Sequence, residues 1–223
     1  LGANFAPSVI NSGSSNVSRS YSGLVIHSSG SGCANISSNV VTVTGANRLY
    51  SKAGVNLNVP GSWGVVTDGS GSSPVNFSRA EHTFIIKNNA ATGGDLTIAG
   101  TLDIANASAT ISANTTLDAG KIIRSGSGAI AGSATSNLTV RDTSNLYFKT
   151  GNNILKNFTI YGGKITLINS LSITAGSSPG TVTLNGGNLF TGDSLTIKSD
   201  ISGTAAVATV SVGATITGQV TVE

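Results

Sequence analysis

Three aspartates in the middle of the chain, Asp95, Asp103 and Asp118, are the residues whose types and spacing could do chemistry together. Glycoside hydrolysis uses two carboxylates about 5 to 10 Å apart, and stacked strands lie about 4.8 Å apart. Carboxylates on neighbouring strands could reach that separation. However, no Lys or Arg cluster accompanies them, and an Asp at a strand edge usually faces a turn or solvent. We therefore predict no catalytic residues and no enzyme, with a carbohydrate-active β-helix lyase or hydrolase as the alternative.

The other place with acid and base side chains is the dipeptide Glu81-His82, close to Arg79. Adjacent residues of a strand point to opposite faces, so we interpret His82 as a surface histidine. His27 stands apart, and two histidines with the single Cys33 do not supply the ligands of a zinc site. The Gly/Asp nonapeptide repeat that binds calcium in β-rolls is absent. We predict no metal and no cofactor.

Aromatic side chains concentrate between Arg48 and Lys87. Tyr50, Trp63 and Phe77 are the ligand-binding candidates of this region, because an exposed aromatic ring can stack on a sugar. The competing interpretation of Trp63 is a core residue of a cap. Solenoids need such caps, since an uncovered end is an exposed strand edge.

Segments that alternate polar and apolar residues recur along the chain, with Gly, Asn and Pro in the turns between them, and they predict β-strands. Residues 157–160 repeat the pattern of residues 137–140, and later strands follow at uneven intervals. An imprecise repeat of short strands predicts an all-β fold, a β-solenoid similar to a parallel β-helix. A β-sandwich stays open, because short, closely spaced strands suit it as well. The predicted strands are residues 23–26, 39–44, 95–98, 101–104, 109–111, 116–118, 121–123, 137–140, 157–160, 164–167, 170–173, 181–184, 194–197 and 219–222.

The composition changes near residue 90, which predicts two regions. Residues 1–90 would form an N-terminal cap or a small β module. Residues 91–223 would form the β-solenoid repeat region, and we expect the chain to continue past Glu223.

The composition also excludes several classes of protein. Only 9% of the residues are charged, which leaves few side chains for ion-paired helices. A mean hydropathy of +0.20 argues against disorder. The net charge is +3, but the 12 Lys and Arg residues are scattered singly, so no basic stripe for nucleic acid is present. No apolar run approaches the ~18 residues of a membrane helix, and we predict no membrane insertion.

A series of similar alternating segments is formed by residues 155–160, 165–167, 171–173, 181–189 and 195–199, and it is followed by residues 204–223. These segments resemble repeats of very large secreted cell-surface proteins of Bacteroidetes, and residues 204–223 are similar to the segment that closes such repeats. The resemblance covers roughly residues 95 to 223. It implies export by the type IX secretion system and display at the cell surface, in some cases as a gliding or attachment adhesin. The tripeptide Asp193-Ser194-Leu195 resembles the O-glycosylation motif of these bacteria, which makes Ser194 a glycosylation candidate.

We therefore expect an extracellular, non-catalytic structural and adhesive segment of a long cell-surface protein. Its expected partners are a polysaccharide or another surface ligand, the secretion or anchoring machinery, and other copies of itself. A passive stalk or filament module is a further alternative.

Overall fold

The computed structural model describes residues 17–21, 39–43, 47–174, 179–192, 195–199, 202–203 and 207–223. The chain divides into two compact units, Leu1–Asn47 and Arg48–Glu223. In the first unit, strands β1 (Val17–Tyr21) and β2 (Asn39–Val43) pair antiparallel. The strand expected at residues 39–44 is thus present, whereas the one expected at 23–26 lies outside the described residues.

The second unit is a β-solenoid of about six turns, which confirms the predicted fold class. Its only helical segment among the described residues is a 3₁₀ turn at Pro60–Ser62. The strands of this unit are β3 (Arg48–Ser51), β4 (Trp63–Gly64), β5 (Thr83–Ile86), β6 (Ala90–Ala91), β7 (Leu96–Ile104), β8 (Ser108–Thr110), β9 (Thr116–Ile123), β10 (Ala129–Ala131), β11 (Asn137–Val140), β12 (Ser144–Leu146), β13 (Ile154–Leu155), β14 (Asn157–Ile160), β15 (Lys164–Leu167), β16 (Leu171–Ile173), β17 (Thr181–Leu184), β18 (Asn188–Phe190), β19 (Leu195–Ile197), β20 (Val207–Val210), β21 (Thr215–Thr217) and β22 (Val220–Val222).

These strands form four sheets that run along the solenoid axis. The long sheet has the order β4-β3-β5-β7-β9-β11-β14-β17-β20, and the shorter sheets are β6-β8-β10, β12-β15-β18-β21 and β13-β16-β19-β22. Every pairing in this unit is parallel except that of β3 with β4. From β11 onward each turn of the chain supplies one strand to the long sheet and one to each four-stranded sheet.

Apolar side chains that face the interior stack in columns along the axis. In the long sheet, Leu117, Leu138, Phe158 and Val182 lie opposite one another on successive strands, and all four are buried. Burial of one such side chain contributes about 1.5 to 3 kcal/mol. The period-two pattern of the sequence therefore fixes which face of each strand enters the core.

The spacing of the turns follows the sequence repeat. Asn137 pairs with Asn157, which confirms the 20-residue step, and the amide of Asn157 donates to the side-chain oxygen of Asn137 at 2.8 Å. The next step is longer, because Thr181 lies opposite Asn157 after 24 residues. Asn side chains thus link successive turns on the outer face of the sheet, as the Asn-rich strands allow.

Where the long sheet bends, strand β7 contains a β-bulge. The register shifts between Ile98 and Thr101, so that Ala99 and Gly100 together oppose the single residue Gly120 of β9. A bulge of this kind bends a strand without ending it. For this reason the two strands expected at residues 95–98 and 101–104 form one continuous strand, which begins at Leu96.

The boundary between units lies at a different place from the composition change. The unit that contains the solenoid begins at Arg48, and residues between Leu49 and Phe84 share one hydrophobic core with the turns that follow. The aromatic-rich segment is therefore the first part of the solenoid itself.

Candidate functional site

Trp63 occupies the interior of the first turns, where the core interpretation of this residue would place it. Its side chain is 0% exposed. Its indole N–H donates to the carbonyl of Leu57 at 2.8 Å, and its ring meets that of Phe84 edge to face at 5.1 Å. A buried Trp needs such a partner for its N–H. Trp63 therefore offers no ring face to a ligand.

The other two aromatic candidates are partly buried and do not form a common platform with Trp63. The Phe77 ring packs against Phe84 at 5.3 Å. The Tyr50 ring is covered by the ammonium of Lys87, 5.5 Å from the ring centre. Cation–aromatic contacts of this type stabilise exposed sites by about 0.5 to 1 kcal/mol. Both rings contribute to contacts within the protein.

Each of the three candidate carboxylates links its own turn of the solenoid to the next one. Asp95 accepts from the backbone N–H of Thr116 at 2.7 Å. Asp103 is buried and accepts from both the backbone N–H and the hydroxyl of Ser125, at 3.1 and 2.7 Å. A buried carboxylate needs these hydrogen bonds to offset its desolvation.

The third carboxylate, Asp118, forms a two-point ion pair with Arg141. Arg141 donates from Nε at 2.8 Å and from Nη2 at 2.6 Å. In the register of the long sheet, Asp118 lies opposite Thr97 and Thr139. Asp118 therefore has no second carboxylate at a neighbouring position of its column.

His82 is buried, and the interpretation of this residue as a surface histidine was wrong. It is 6% exposed, its ring centre lies 6.1 Å from that of Phe84, and neither ring nitrogen has a hydrogen-bond partner among the residues that the structure describes. Burial lowers the pKa of His82 below its ordinary value, against the attraction of Glu81 and together with the repulsion of Arg79. Glu81, the neighbouring residue, is exposed, so the two side chains do lie on opposite sides of the chain, with the histidine inside.

A groove of about 330 Å³ lies over the bend of the long sheet, and we call it the corner groove. Its floor consists of small residues from three successive layers, namely Ala80, Ala99, Gly100 and Gly120. A Cβ on Gly100 would collide with the carbonyl of His82, and one on Gly120 with that of Ala99. Gly100 and Gly120 therefore carry no side chains because the layers approach closely there.

The walls of the corner groove carry its polar groups, Thr101, Lys121, Arg141 and Asp142. Two of them come from a corner of the chain. Strand β9 is continuous from Thr116 to Ile123, whereas strand β11 of the long sheet ends at Val140 and the next strand, β12 of a four-stranded sheet, begins at Ser144. The corner between β11 and β12, residues 141–143, contains the groove residues Arg141 and Asp142.

Arg141 is the most firmly held of these side chains. Besides its two hydrogen bonds to Asp118, its guanidinium lies 4.7 Å from the centre of the Tyr161 ring. The hydrogen bonds to Asp118 raise the pKa of Arg141 above its ordinary value. Lys121 forms no ion pair within the described part of the chain, and Asp142 accepts from the backbone N–H of Thr143 at 2.6 Å.

The groove residues were absent from the candidates derived from sequence. A signal existed, since Gly100 and Gly120 are separated by one repeat and Arg141 follows after a further repeat. Whether these residues line a groove depends on the bulge at Ala99, and no local sequence pattern predicts that bulge. Ser194, the glycosylation candidate, lies outside the described residues.

Comparisons with known proteins return no similarity: no protein-family model, no curated protein and no solved structure matches the chain. Among the described residues, no group of three or more His, Cys, Asp and Glu side chains has the arrangement of a metal site. The same residues include no apolar helix of the length that a bilayer crossing requires.

Proposed function

We propose that this chain is a non-catalytic structural and adhesive segment of a long bacterial cell-surface protein. In this role the β-solenoid acts as a stiff support that presents a binding surface. The observation that carries the proposal is the use of the carboxylates. Asp95, Asp103 and Asp118 are all engaged in contacts between successive turns, which is a structural use of residues that an enzyme of this fold would need free.

The outer face of the long sheet supports the same proposal. Thr139, Thr159, Thr183 and Thr209 lie opposite one another on successive strands and form an uncharged column. Hydrogen bonds between parallel strands run along the axis, so each added turn extends and stiffens the structure. A surface of hydroxyl and amide groups stays hydrated with little charge.

Location outside the cell and export by the type IX system are part of the proposal. They are supported by the resemblance of residues 95–223 to Bacteroidetes surface repeats and by the low content of charged residues, 9%. A polysaccharide or another surface ligand, the secretion or anchoring machinery and further copies of the chain are the proposed partners.

The experiment that tests the proposal measures binding and cleavage in the same tubes. The purified chain is incubated with a panel of soluble and insoluble polysaccharides, and both bound protein and newly formed reducing or unsaturated ends are determined. We expect saturable binding without product. Product formation would support the carbohydrate-active enzyme, and neither binding nor product would restrict the role to a passive stalk.

A further inference from the structure

We propose that the corner groove binds one pyranose unit of a neutral polysaccharide. This inference rests on the proposed adhesive function and assigns a ligand class and a place to it. The groove crosses successive layers of the solenoid at the bend of the long sheet and is open to solvent along its length.

The size and floor of the groove suit a sugar ring. A volume of about 330 Å³ is at the lower end of the range for ligand sites. Ala99 and the two glycines present only methyl and methylene groups and backbone, on which the C–H face of a pyranose can lie. A larger side chain at Gly100 or Gly120 is excluded by the backbone of the layer below.

The walls supply donors and acceptors in the places that sugar hydroxyls require. Lys121 offers an ammonium without an ion-pair partner among the described residues, and Arg141 has its Nη1 free of the two hydrogen bonds that hold it to Asp118. Asp142 retains a second carboxylate oxygen, since only Oδ1 accepts from Thr143. Because Arg141 is held by Asp118 and Tyr161, little of its side-chain freedom is lost on binding.

The charges favour a neutral ligand over an acidic one. The two cations Lys121 and Arg141 are matched by the carboxylates of Asp118 and Asp142. The groove therefore has no excess of positive charge, because Asp118 neutralises Arg141 from outside the groove, and an anionic sugar would meet the carboxylate of Asp142 on the groove wall. A hydroxyl, by contrast, donates to a carboxylate and accepts from an ammonium or guanidinium at once.

The test uses the whole chain and two pairs of matched variants. Lys121→Met removes the free ammonium, and Lys149→Met removes an exposed lysine outside the groove. Ala99→Leu fills the floor, and Ala113→Leu adds the same side chain at an exposed alanine elsewhere. Binding is measured by affinity electrophoresis and calorimetry with xyloglucan, galactomannan and soluble starch as neutral probes, and polygalacturonate and alginate as acidic ones. Thermal unfolding checks that each variant folds.

We expect the wild type to bind at least one neutral probe, with an affinity about tenfold lower in each groove variant. For Lys121→Met this is the effect of losing one charged hydrogen bond, and for Ala99→Leu the added side chain occupies the place of the ring. The two control variants should bind like the wild type. If Ala99→Leu does not fold, Lys121→Met, a substitution on the groove wall, decides the outcome.

Three results would overturn the inference, and a fourth would overturn the proposed function alone. Equal binding by wild type and groove variants, or binding of the acidic probes alone, would reject the groove or its ligand class while adhesion stands. Binding to none of the probes would reject both. Cleavage that accompanies groove-dependent binding would reject the non-catalytic role and leave the groove as the sugar site.

Discussion

The two ends of the solenoid differ in how their last turn is covered. At the end formed by β3 and β4, Trp63 is fully buried against Phe84 and its N–H is satisfied. At the end formed by β20, β21 and β22, Val220 and Val222 lie opposite the buried Leu195 and Ile197 but are themselves 39% and 72% exposed. Core-facing positions are thus covered in the turn of β3 and β4 and exposed in the turn of β20, β21 and β22.

The difference shows that burial in this fold depends on the layers above and below a residue. Val182 and Val222 both occupy alternating Val-Thr strands, yet Val182, with a strand on each side, is 0% exposed. Each turn of a solenoid is stabilised mainly by its neighbours, so an end turn has about half of that stabilisation. The aromatic segment compensates for this at its end by supplying a cover.

The largest effect that would sharpen this comparison is expected for Trp63→Ala. Loss of a fully buried aromatic side chain should lower the free energy of unfolding by about 3 to 5 kcal/mol. Urea unfolding followed by far-UV circular dichroism measures this loss of stability. Fluorescence is unsuitable, because Trp63 is the only tryptophan and the variant lacks it. The control Val222→Ala should change stability by less than about 0.5 kcal/mol. Similar losses of unfolding free energy in both variants would contradict the difference in burial between the two end turns.

A second comparison uses two glycines with positive φ angles at the corners of the solenoid. Gly163 has φ +72° and its Cβ position collides with the backbone N of Thr143, whereas Gly213, with φ +85° in the last turn, has open space around it. Gly163→Ala should destabilise by about 2 to 3 kcal/mol and Gly213→Ala by about 1 kcal/mol, the strain alone. Thermal unfolding of the two variants measures the difference. A larger loss of stability in Gly213→Ala than in Gly163→Ala would contradict the comparison.

Acid should weaken the closed end through His82. Its pKa is lower in the folded chain than the ordinary value of 6.5, chiefly because of burial. The unfolded chain therefore binds a proton that the folded chain rejects, so stability is complete above about pH 6.5 and falls as the pH drops below that value. Unfolding by urea at pH 7.5 and 5.5 should show the loss, and His82→Leu should remove it. The same slope in the variant would assign the pH dependence to other groups.

The smallest change in stability is expected at the open end. Val222→Lys places a charge on an exposed edge strand, where unpaired strands otherwise favour pairing with another chain. Stability should stay within about 0.5 kcal/mol of the wild type, whereas self-association measured by sedimentation velocity should decrease. Val75→Lys, at a residue that is also exposed, serves as the control. Unchanged association in Val222→Lys would show that the open edge does not drive it.

Much of the solenoid was predictable because its strands are local patterns. The strands at 157–160, 164–167 and 181–184 have the bounds that alternation gave them. The short strand Ala129–Ala131 was not predicted, since its three apolar residues, Ala-Ile-Ala, show no alternation of polar and apolar positions. Such segments are strands because a neighbouring layer supplies their hydrogen bonds. That layer is about one repeat away in the sequence, so a local pattern does not show it.

The candidate site was much less predictable than the fold. Sequence reasoning grouped Asp95, Asp103 and Asp118 by residue type, but each forms its contacts with a different partner one turn away. The groove depends on a bulge at Ala99 and on the corner at Arg141. Neither feature has a signature beyond glycine and small residues, which many turns share.

The amino-acid sequence by itself determined the all-β class, the 20-residue step from Asn137 to Asn157 and the inward face of the alternating strands, because alternation and turn residues act within a few positions. It favoured a solenoid but left a β-sandwich open. The tertiary structure alone decided that His82 and Trp63 are buried, that the aspartates link successive turns, and that Lys121 and Arg141 face one groove. The physical reason is the stacking of layers. It brings together residues about one repeat apart, and the exact register depends on bulges and corner lengths that the local pattern does not fix.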